Sequence, residues 1–472
     1  MLKQFGFALP YAFLGRSRVG RFALGSVILA RTSFVSLSSG EVAGSIDSKS
    51  PQQATNPVTA GGSISSRRPL TLSEAQRLAF ERNWDLLAVR SDVEIATARQ
   101  LIARQYPNPS LSLSASKVNF DRQPSHTVLG NGLWDRSYDT ICAVSQLLEI
   151  GGKRMNRRVS SEAEVRGAKA RLDDARRLLN LGVTKAYIGS LQASANVRIL
   201  QESVESLRRE AELARVRLQA GDISKADESQ IEITADRFEL DARKAEAEAR
   251  NARIDVEILL GERNPTGEWV PANTLEELRA ELVPTEEPVP TVRLRPDIQA
   301  AHADQEKAEA ELQLQKSLRV PDPTISTQYE HEPADKPNTV GIGLSFPLPL
   351  WNRNRGAIAV AAAARDQSLM ATQKVVAQAI AEVTQARISY EMSLRRLDRY
   401  TTEIQPRSAE IRSTVSFAYQ KGGASLIDLL SAERNDNDIR LAAVQARADS
   451  AIAAASLQSA LGSTQNHPDK KL

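Results

Sequence analysis

The chain has 472 residues, of which 5% are aromatic and 25% charged, and its formal net charge is +3. So small a charge excludes the basic field that nucleic-acid binding needs, and a usage rich in alanine, leucine, arginine and glutamate is that of long helices, not of several ordinary globules. One cysteine, Cys142, excludes an intrachain disulfide and a multi-thiolate metal site, and it reads as a small apolar strand residue.

Residues 1–44 read as an export segment. Lys3, Arg16, Arg18 and Arg21 supply a positive start, and Phe22 to Ala30 is an apolar run too short to span a bilayer as a helix. Small residues from Ser36 to Ser45 offer cleavage positions, and a lipobox cysteine is absent. No later segment has about 18 consecutive apolar residues, so no transmembrane helix is expected after it. Residues 45–69 are rich in Ser, Gln, Gly and Pro and read as a flexible linker.

A first repeat is expected over 70–261. Helical periodicity, capped by Thr71 or Ser73, continues to Gln105 and stops at Tyr106-Pro-Asn-Pro109. Ser110 to Ser116 then alternates strictly, with Leu111, Leu113 and Ala115 on one face and serines on the other. A polar loop, Asn119 to Arg136, leads to a second strand near Tyr138 to Leu147. From Gly152 to Ala220 the pattern is helical, roughly 100 Å at 1.5 Å per residue. Its seam runs Val183, Ala186, Ser190, Ala193, Val197, Leu200, Val204, Leu207, Ala211, Ala214, Leu218, which demands side-by-side helices. Gly221 ends it, and a partner helix returns from Ser224 to Leu260.

The proline-rich stretch 262–291 reads as a connector with a short helix near Leu275 to Glu281. Then the order repeats over 292–462. A helix from Pro296 to Leu318 precedes Val320-Pro-Asp-Pro323, which matches Tyr106-Pro-Asn-Pro109. Strands Thr324 to Glu330 and Val340 to Phe346 flank a loop, His331 to Pro337. A long helix from Asn352 to Lys421 has the seam Val376, Val383, Tyr390, Leu397, Ile404, Ile411, Ala418, and Gly422 and Gly423 end it. Pro406 lies inside it and predicts a kink or short break. The last helix ends at Gly462, and 463–472 reads as a disordered tail. The passages from strand to helix are SQLLEIGGKR, with Gly151 and Gly152, and FPLPLWNRNRG, with Pro347, Pro349, Asn352, Asn354 and Gly356.

Strands of about ten residues with one apolar and one small-polar face have the length and pattern of membrane barrel strands. Four strands cannot close a membrane barrel, and open edges cannot face lipid. Three copies give twelve strands, whereas two give a barrel too narrow for an open channel. Helices continuing from such strands prolong the wall into a tunnel. On pattern alone the alternative is a soluble hairpin packed on helices.

The duplicated helix–strand–strand–helix order, with the Gly-capped tips QAGDISKAD (Gln219 to Asp227) and QKGGASLID (Gln420 to Asp428), resembles the TolC-like outer membrane efflux proteins over residues 70 to 462. Within that family, GGKR and FPLPLWNRNRG resemble the CzcC-like branch that serves cobalt, zinc, cadmium or nickel efflux. The resemblance implies a mainly α fold with membrane β: a homotrimer with a twelve-stranded outer-membrane barrel and a periplasmic coiled-coil tunnel. It also implies a periplasmic adaptor and a proton-driven inner-membrane pump of the resistance-nodulation-division type as partners. The adaptor would meet the tips at Gly221, Asp222, Gly422 and Gly423. The family's acidic and tyrosine gate positions fall on Asp227, Tyr419 and Asp428. Its arginine position is Ala424 and a second acidic position is Ser431, so the ionic lock of drug-exporting members is not kept as such. Read as residues alone, Asp227, Glu228 and Asp428 are equally well solvated charges beside turns.

His126, His331, Glu330, Glu332 and Asp335 fall in the two expected outer loops but lack ligand spacing, so no metal site and no cofactor is expected. No nucleophile–base pair, phosphate-cradling glycine loop or paired-carboxylate motif is present, and an enzyme is not expected. The expected function is a passive exit duct for divalent heavy-metal cations, in the outer membrane of a Gram-negative bacterium. The alternatives are a multidrug or type I secretion duct of the same fold, and a soluble periplasmic coiled-coil adaptor.

Overall fold

The sequence predicts one helix as far as Gln105; two form, α1 (Leu72–Arg82) and α2 (Trp84–Arg104). Asn83 leaves the helical region between them. Its side chain accepts from the Leu86 N–H at 3.0 Å, capping α2, and donates to the Leu259 carbonyl at 3.0 Å. Thr71 caps α1 by accepting from the Glu74 N–H. Both helices belong to a computed structural model that describes residues 69–116, 139–283, 289–332 and 336–462, all within the compact unit Gly62–Leu472. The expected export segment, the linker as far as residue 68, the first outer loop with His126, Asp335 in the second, and the tail 463–472 lie outside the described residues.

Four strands form one antiparallel sheet in the order β2 (Ser110–Ser116), β3 (Asp139–Leu147), β5 (Thr324–Glu332), β6 (Lys336–Ser345). Register fixes the faces, because paired residues share a side. Leu113, Cys142, Tyr329 and Val340 form one row across the sheet; Leu111, Val144, Thr327 and Ile342 form the next. The opposite face carries Ser112, Ala143, Gln328 and Gly341 in one row and Ser110, Ser145, Ser326 and Gly343 in another. A Cβ at Gly343 would lie 2.6 Å from the Ser326 hydroxyl oxygen, so a side chain there would force that hydroxyl to turn away. The β5–β6 connection is tighter than predicted, since His331 is a strand residue paired with Thr140 and not part of a loop. Alternation extends through His331 and Glu332, and their polarity masks it in the sequence.

β3 passes to α3 (Lys153–Gln219), whose 67 residues extend roughly 100 Å. α4 (Lys225–Leu259) returns beside it. In the second half α6 (Pro296–Ser317) takes the place of α2, α7 (Arg355–Arg399) that of the start of α3, and α9 (Leu426–Leu461) that of α4. α3 packs against α2, α4, α6 and α9. Serving these and α1 as well, it buries more than one seam: Tyr187, Ile188, Leu191 and Ile199 join the expected Val183, Leu200, Leu207 and Ala214.

The kink expected at Pro406 takes a defined form. Residues Tyr400–Ile404 make one π-helical turn, and α8 (Gln405–Gln420) follows with Pro406 in its first turn. Proline supplies no N–H to the preceding turn and its ring crowds that carbonyl, so the chain widens. One extra residue in the turn advances the buried stripe. Ser408 and Tyr419 are buried beyond it, while Ile411, an expected seam residue, is 53% exposed.

The expected connector 262–291 is better packed than a linker. Val270–Pro271 (β4) pairs in parallel with Pro69–Leu70 (β1), and α5 (Leu275–Glu281) forms where expected. Trp269 is buried and stacks on Tyr187 with ring centroids 5.8 Å apart. The Tyr187 hydroxyl donates to the Leu70 carbonyl at 2.6 Å, and Trp269 Nε1 donates to the Arg253 carbonyl. Stacked, hydrogen-bonded aromatics of this kind anchor the core around α1, α3, α5 and α9.

Candidate functional site

Two regions carry the expected functional residues: the far tips of the helix pairs and the passages from strand to helix. At the tips the two halves are built alike. Gly221 has φ +81°, its N–H donates to the Leu218 carbonyl, and the Asp222 N–H donates to Arg217. Gly422 has φ +77°, its N–H donates to Tyr419, and the Gly423 N–H donates to Ala418. Left-handed glycines thus close the last carbonyls of α3 and α8.

Asp227 and Asp428 each close a capping box. The Asp227 N–H donates to Ser224 Oγ at 3.1 Å, and Asp227 Oδ2 accepts from the Ser224 hydroxyl at 2.8 Å. In the second half the Asp428 N–H donates to Ser425 Oγ at 3.2 Å, and Asp428 Oδ2 accepts from the Ser425 N–H at 3.1 Å. The hydrogen bonds from Ser425, side chain and backbone, hold the Asp428 carboxyl below its ordinary value. The Ser-x-x-Asp spacing in both tips is the sequence signal for this arrangement.

Tyr419 is buried, and Arg217 from the first repeat lies over its ring at 5.4 Å. Burial pushes the Tyr419 hydroxyl up, Glu210 and Asp227 add to the shift, and Arg217 opposes it. The structure therefore gathers Asp227, Tyr419 and Arg217, joining the two repeats, while Asp428 is exposed on its own cap. Arg217 is absent from the sequence-based set because it lies in the other repeat, away from the Ala424 position.

Above the tips the two helix pairs differ inside. Between α3 and α4 lie Leu207, Ala235, Phe238 and Ala242. Between α8 and α9 lie Ser408, Arg412, Glu433 and Asp436. Ser408 Oγ donates to Asp436 Oδ1 at 2.9 Å, and Arg412 lies 3.3 Å from Asp436 and 3.7 Å from Glu433. Burial raises the Glu433 carboxyl, against the pull of Arg412; Asp436 and Glu210 add to the rise.

The two passages also differ. In the first, only Leu148–Gly152 separates β3 from α3. Gly151 and Gly152 have φ of +75° and +79°, and a Cβ on Gly151 would press on Val320 at 3.1 Å. This passage is fastened to the Pro-x-Pro segment of the second repeat. The Leu148 N–H donates to the Pro323 carbonyl, the Ile150 N–H to Asp322, and buried Lys153 to both Val320 and Asp322 at 2.6 Å. Arg154 lies 3.8 Å over the Tyr106 ring and donates to the Arg104 carbonyl. In the second, nine residues, Phe346 to Asn354, intervene, so this passage is the longer of the two. Asn354 takes the left-handed cap at φ +57°, in the place of Gly152; its side chain donates to the Gln315 carbonyl and its N–H to Asn352 Oδ1. Pro347 and Pro349 are exposed. Gly356 lies just inside α7 with ordinary φ and open space around its Cα, so nothing there requires glycine.

His331 and Glu330 do not converge. Adjacent in β5, they point to opposite faces, and His331 Nδ1 lies 3.2 Å from Asn338 Oδ1. Among the described residues no group of three acidic, histidine or cysteine side chains could hold a metal, and no helix is long and apolar enough to cross a membrane.

With this geometry in view, residues 76–262 and 292–463 match the family described as outer membrane efflux protein. A curated relative, the cobalt-zinc-cadmium resistance protein CzcC of Cupriavidus metallidurans, is 27% identical over 197 residues, which is 42% of this chain and 44% of that protein. The chain thus matches less than half the length of that relative. Among solved structures, CusC superposes with a TM-score of 0.71 at 18% identity, covering 83% of this chain and 92% of that one. The Campylobacter jejuni CmeC outer membrane channel gives 0.70 at 18% identity, covering 83% and 85%. The outer membrane protein VceC of Vibrio cholerae gives 0.68 at 18% identity, covering 83% and 96%. At these identities the likeness is one of fold.

Proposed function

Because the chain belongs to the outer membrane efflux protein family, we propose that it is the exit duct of a tripartite, proton-driven system that exports divalent heavy-metal cations. The observation that carries this reading is the sheet: one face apolar, the other small and polar, handing over at both β3 and β6 to helices of tunnel length. Edge strands β2 and β6 are unpaired in a single chain, and unpaired amides are not tolerated in hydrocarbon. Three copies joined edge to edge make a closed twelve-stranded wall. The apolar face then meets lipid in the outer membrane of a Gram-negative cell, and the serine- and glycine-rich face lines the pore.

The helices carry that pore into the periplasm, where the tips at Gly221, Asp222, Gly422 and Gly423 meet the adaptor of a resistance-nodulation-division pump. Asp227 and Tyr419 with Arg217 form the gate region. Asp428 acts there first as a helix cap, and its carboxylate contributes negative field to passing cations. Metal as cargo is supported by FPLPLWNRNRG and by the name of the CzcC relative. Neither an enzymatic step nor a resident cofactor enters the reading.

Deleting the gene should sensitise the host to zinc, cobalt, cadmium or nickel, with tolerance restored by the parent chain. Unchanged metal tolerance together with new drug sensitivity would move the cargo to drugs. Release of the protein from cells without detergent would favour the soluble coiled-coil adaptor instead.

A further inference from the structure

The apolar stripe on the outer face of β6 does not stop where the strand stops. Thr324 and Ser345 make the last ladder pair. Yet Phe346, Leu348 and Leu350 continue the period-two series Val340, Ile342, Leu344, and all six are more than half exposed. Trp351 follows and is 94% exposed.

The backbone of this run is poor in free donors. Pro347 and Pro349 have no N–H, and the Leu350 N–H donates to the Leu348 carbonyl at 2.9 Å. Across Pro347–Leu350 only the Leu348 N–H has no internal partner among the described residues; the Phe346 and Trp351 N–H groups, at the strand end and at the water-facing end of the run, have none either. A chain outside a sheet can lie against hydrocarbon only when its amides are removed or satisfied. Next come Arg353 and Arg355, both exposed and neither with an acidic partner among the described residues.

We propose that Phe346–Trp351 is a lipid-interface anchor. Its apolar stripe seats in the periplasmic leaflet, Trp351 lies at the level of the headgroup carbonyls, and Arg353 and Arg355 meet anionic headgroup phosphates. The proposal rests on the reading of the sheet as membrane-embedded and extends that surface below the last paired strand residue. The competing occupant is the first repeat of a neighbouring copy. In the passage at Leu148–Gly152 the Leu148 and Ile150 side chains are exposed too, but the backbone is held by protein: the Leu148 and Ile150 N–H groups are bonded to Pro323 and Asp322, and Lys153 is buried. The second passage has lost two of its donors, bonded a third to itself and left its cations unpaired, which suits lipid and not protein.

The test uses the full-length protein in vesicles of phosphatidylethanolamine and phosphatidylglycerol that carry nitroxide-labelled lipids. The Trp351 emission is obtained as the difference between the parent and Trp351→Phe, a change at a side chain with almost no packing. A fluorophore on Cys142, which lies on the same outer face of the sheet, reports separately on the membrane position of β3. The anchor predicts that shallow nitroxides remove the larger part of the Trp351 emission while aqueous iodide removes little. Quenching of the Cys142 label by deep nitroxides with Trp351 open to iodide would overturn the anchor and keep the membrane sheet. Trp351 shielded from both quenchers would overturn it in favour of a second copy. A Cys142 label untouched by lipid nitroxides would remove the membrane sheet and the anchor together.

Discussion

Asp227 and Asp428 each close a helix cap, and on the proposed function the same carboxylates would also act on passing cations. Each is bound into a cap by the serine three residues before it, so replacing either by alanine frays a helix start as well as changing local charge. The Asp227→Ala and Asp428→Ala chains should lose amide protection in the first turns of α4 and α9, read by hydrogen exchange; unchanged protection would leave the caps without weight. Asp428→Asn keeps an acceptor oxygen and isolates the charge, so a change in cation selectivity with Asn and no loss of protection assigns the charge to passage. Glu433 makes a second residue-scale prediction. Its carboxyl titrates above the ordinary glutamate value when folded, so folding binds its proton more tightly. Glu433 therefore favours the folded α8–α9 pair at low pH, and that contribution is lost as pH rises through the folded value. Glu433→Gln should raise the stability of this pair at neutral pH and flatten its pH dependence, measured by exchange of α8 and α9 amides between acid and neutral conditions. An unchanged profile would exclude Glu433 as the cause. Gly221, Gly422 and the serines of the tips are legible in the sequence because turn chemistry is local; Arg217 over Tyr419 is not, because it joins residues two hundred positions apart.

Among the elements, alternation and helical spacing show the strands and the long helices directly, and the Gly-capped ends show where they turn. The break at Asn83 is hidden, because α1 and α2 share a helical pattern and Asn carries no such conspicuous signal as Gly or Pro. Its role is tertiary: Asn83 caps α2 and also satisfies the last turn of α4 at Leu259. Asn83→Ala should cost about 1–2 kcal/mol, read from chemical unfolding followed at the buried tryptophan Trp269. The passage at Leu148–Gly152 is fastened by the Lys153–Asp322 pair, and Asp322→Ala leaves a buried ammonium unpaired, at about 3 kcal/mol. That variant should speed amide exchange from Ile150 to Asn156 while leaving the tips unchanged. Pro406 announces a break, but only the structure shows that a π turn takes it up and shifts the stripe away from Ile411. A cysteine at Ile411, in a chain with Cys142 replaced by serine, should react freely with maleimide. Deleting Thr401 together with Pro406→Ala should restore the plain helical phase and protect it; equal reactivity in both chains would contradict the phase shift.

At the scale of the whole molecule, duplication gives each repeat a helix, two strands and a long helical pair, and the sheet order β2-β3-β5-β6 joins the repeats through β3 and β5. The repeats have diverged at the passages from strand to helix and inside the tip pairs. The first passage from strand to helix has its backbone fastened by its own chain, with Leu148 and Ile150 exposed, whereas the second exposes leucines, a tryptophan and two arginines and has fewer such bonds. The first tip pair has an apolar interior, whereas the second holds Ser408, Arg412, Glu433 and Asp436 and is preceded by a π turn. The sequence pattern shows the duplication; the divergence lies in the contacts each copy makes, and that information is not local.

The central claim is that this chain assembles into a membrane pore that passes cations. Protein extracted from host membranes in detergent and added to one side of a planar lipid bilayer bathed in zinc chloride tests it most directly. With unequal zinc chloride on the two sides, discrete current steps with a reversal potential that favours cations are expected, and a reduced preference in the Asp227→Asn and Asp428→Asn chains. A protein that enters the bilayer and gives no discrete steps, or steps indifferent to the sign of the ion, would contradict it.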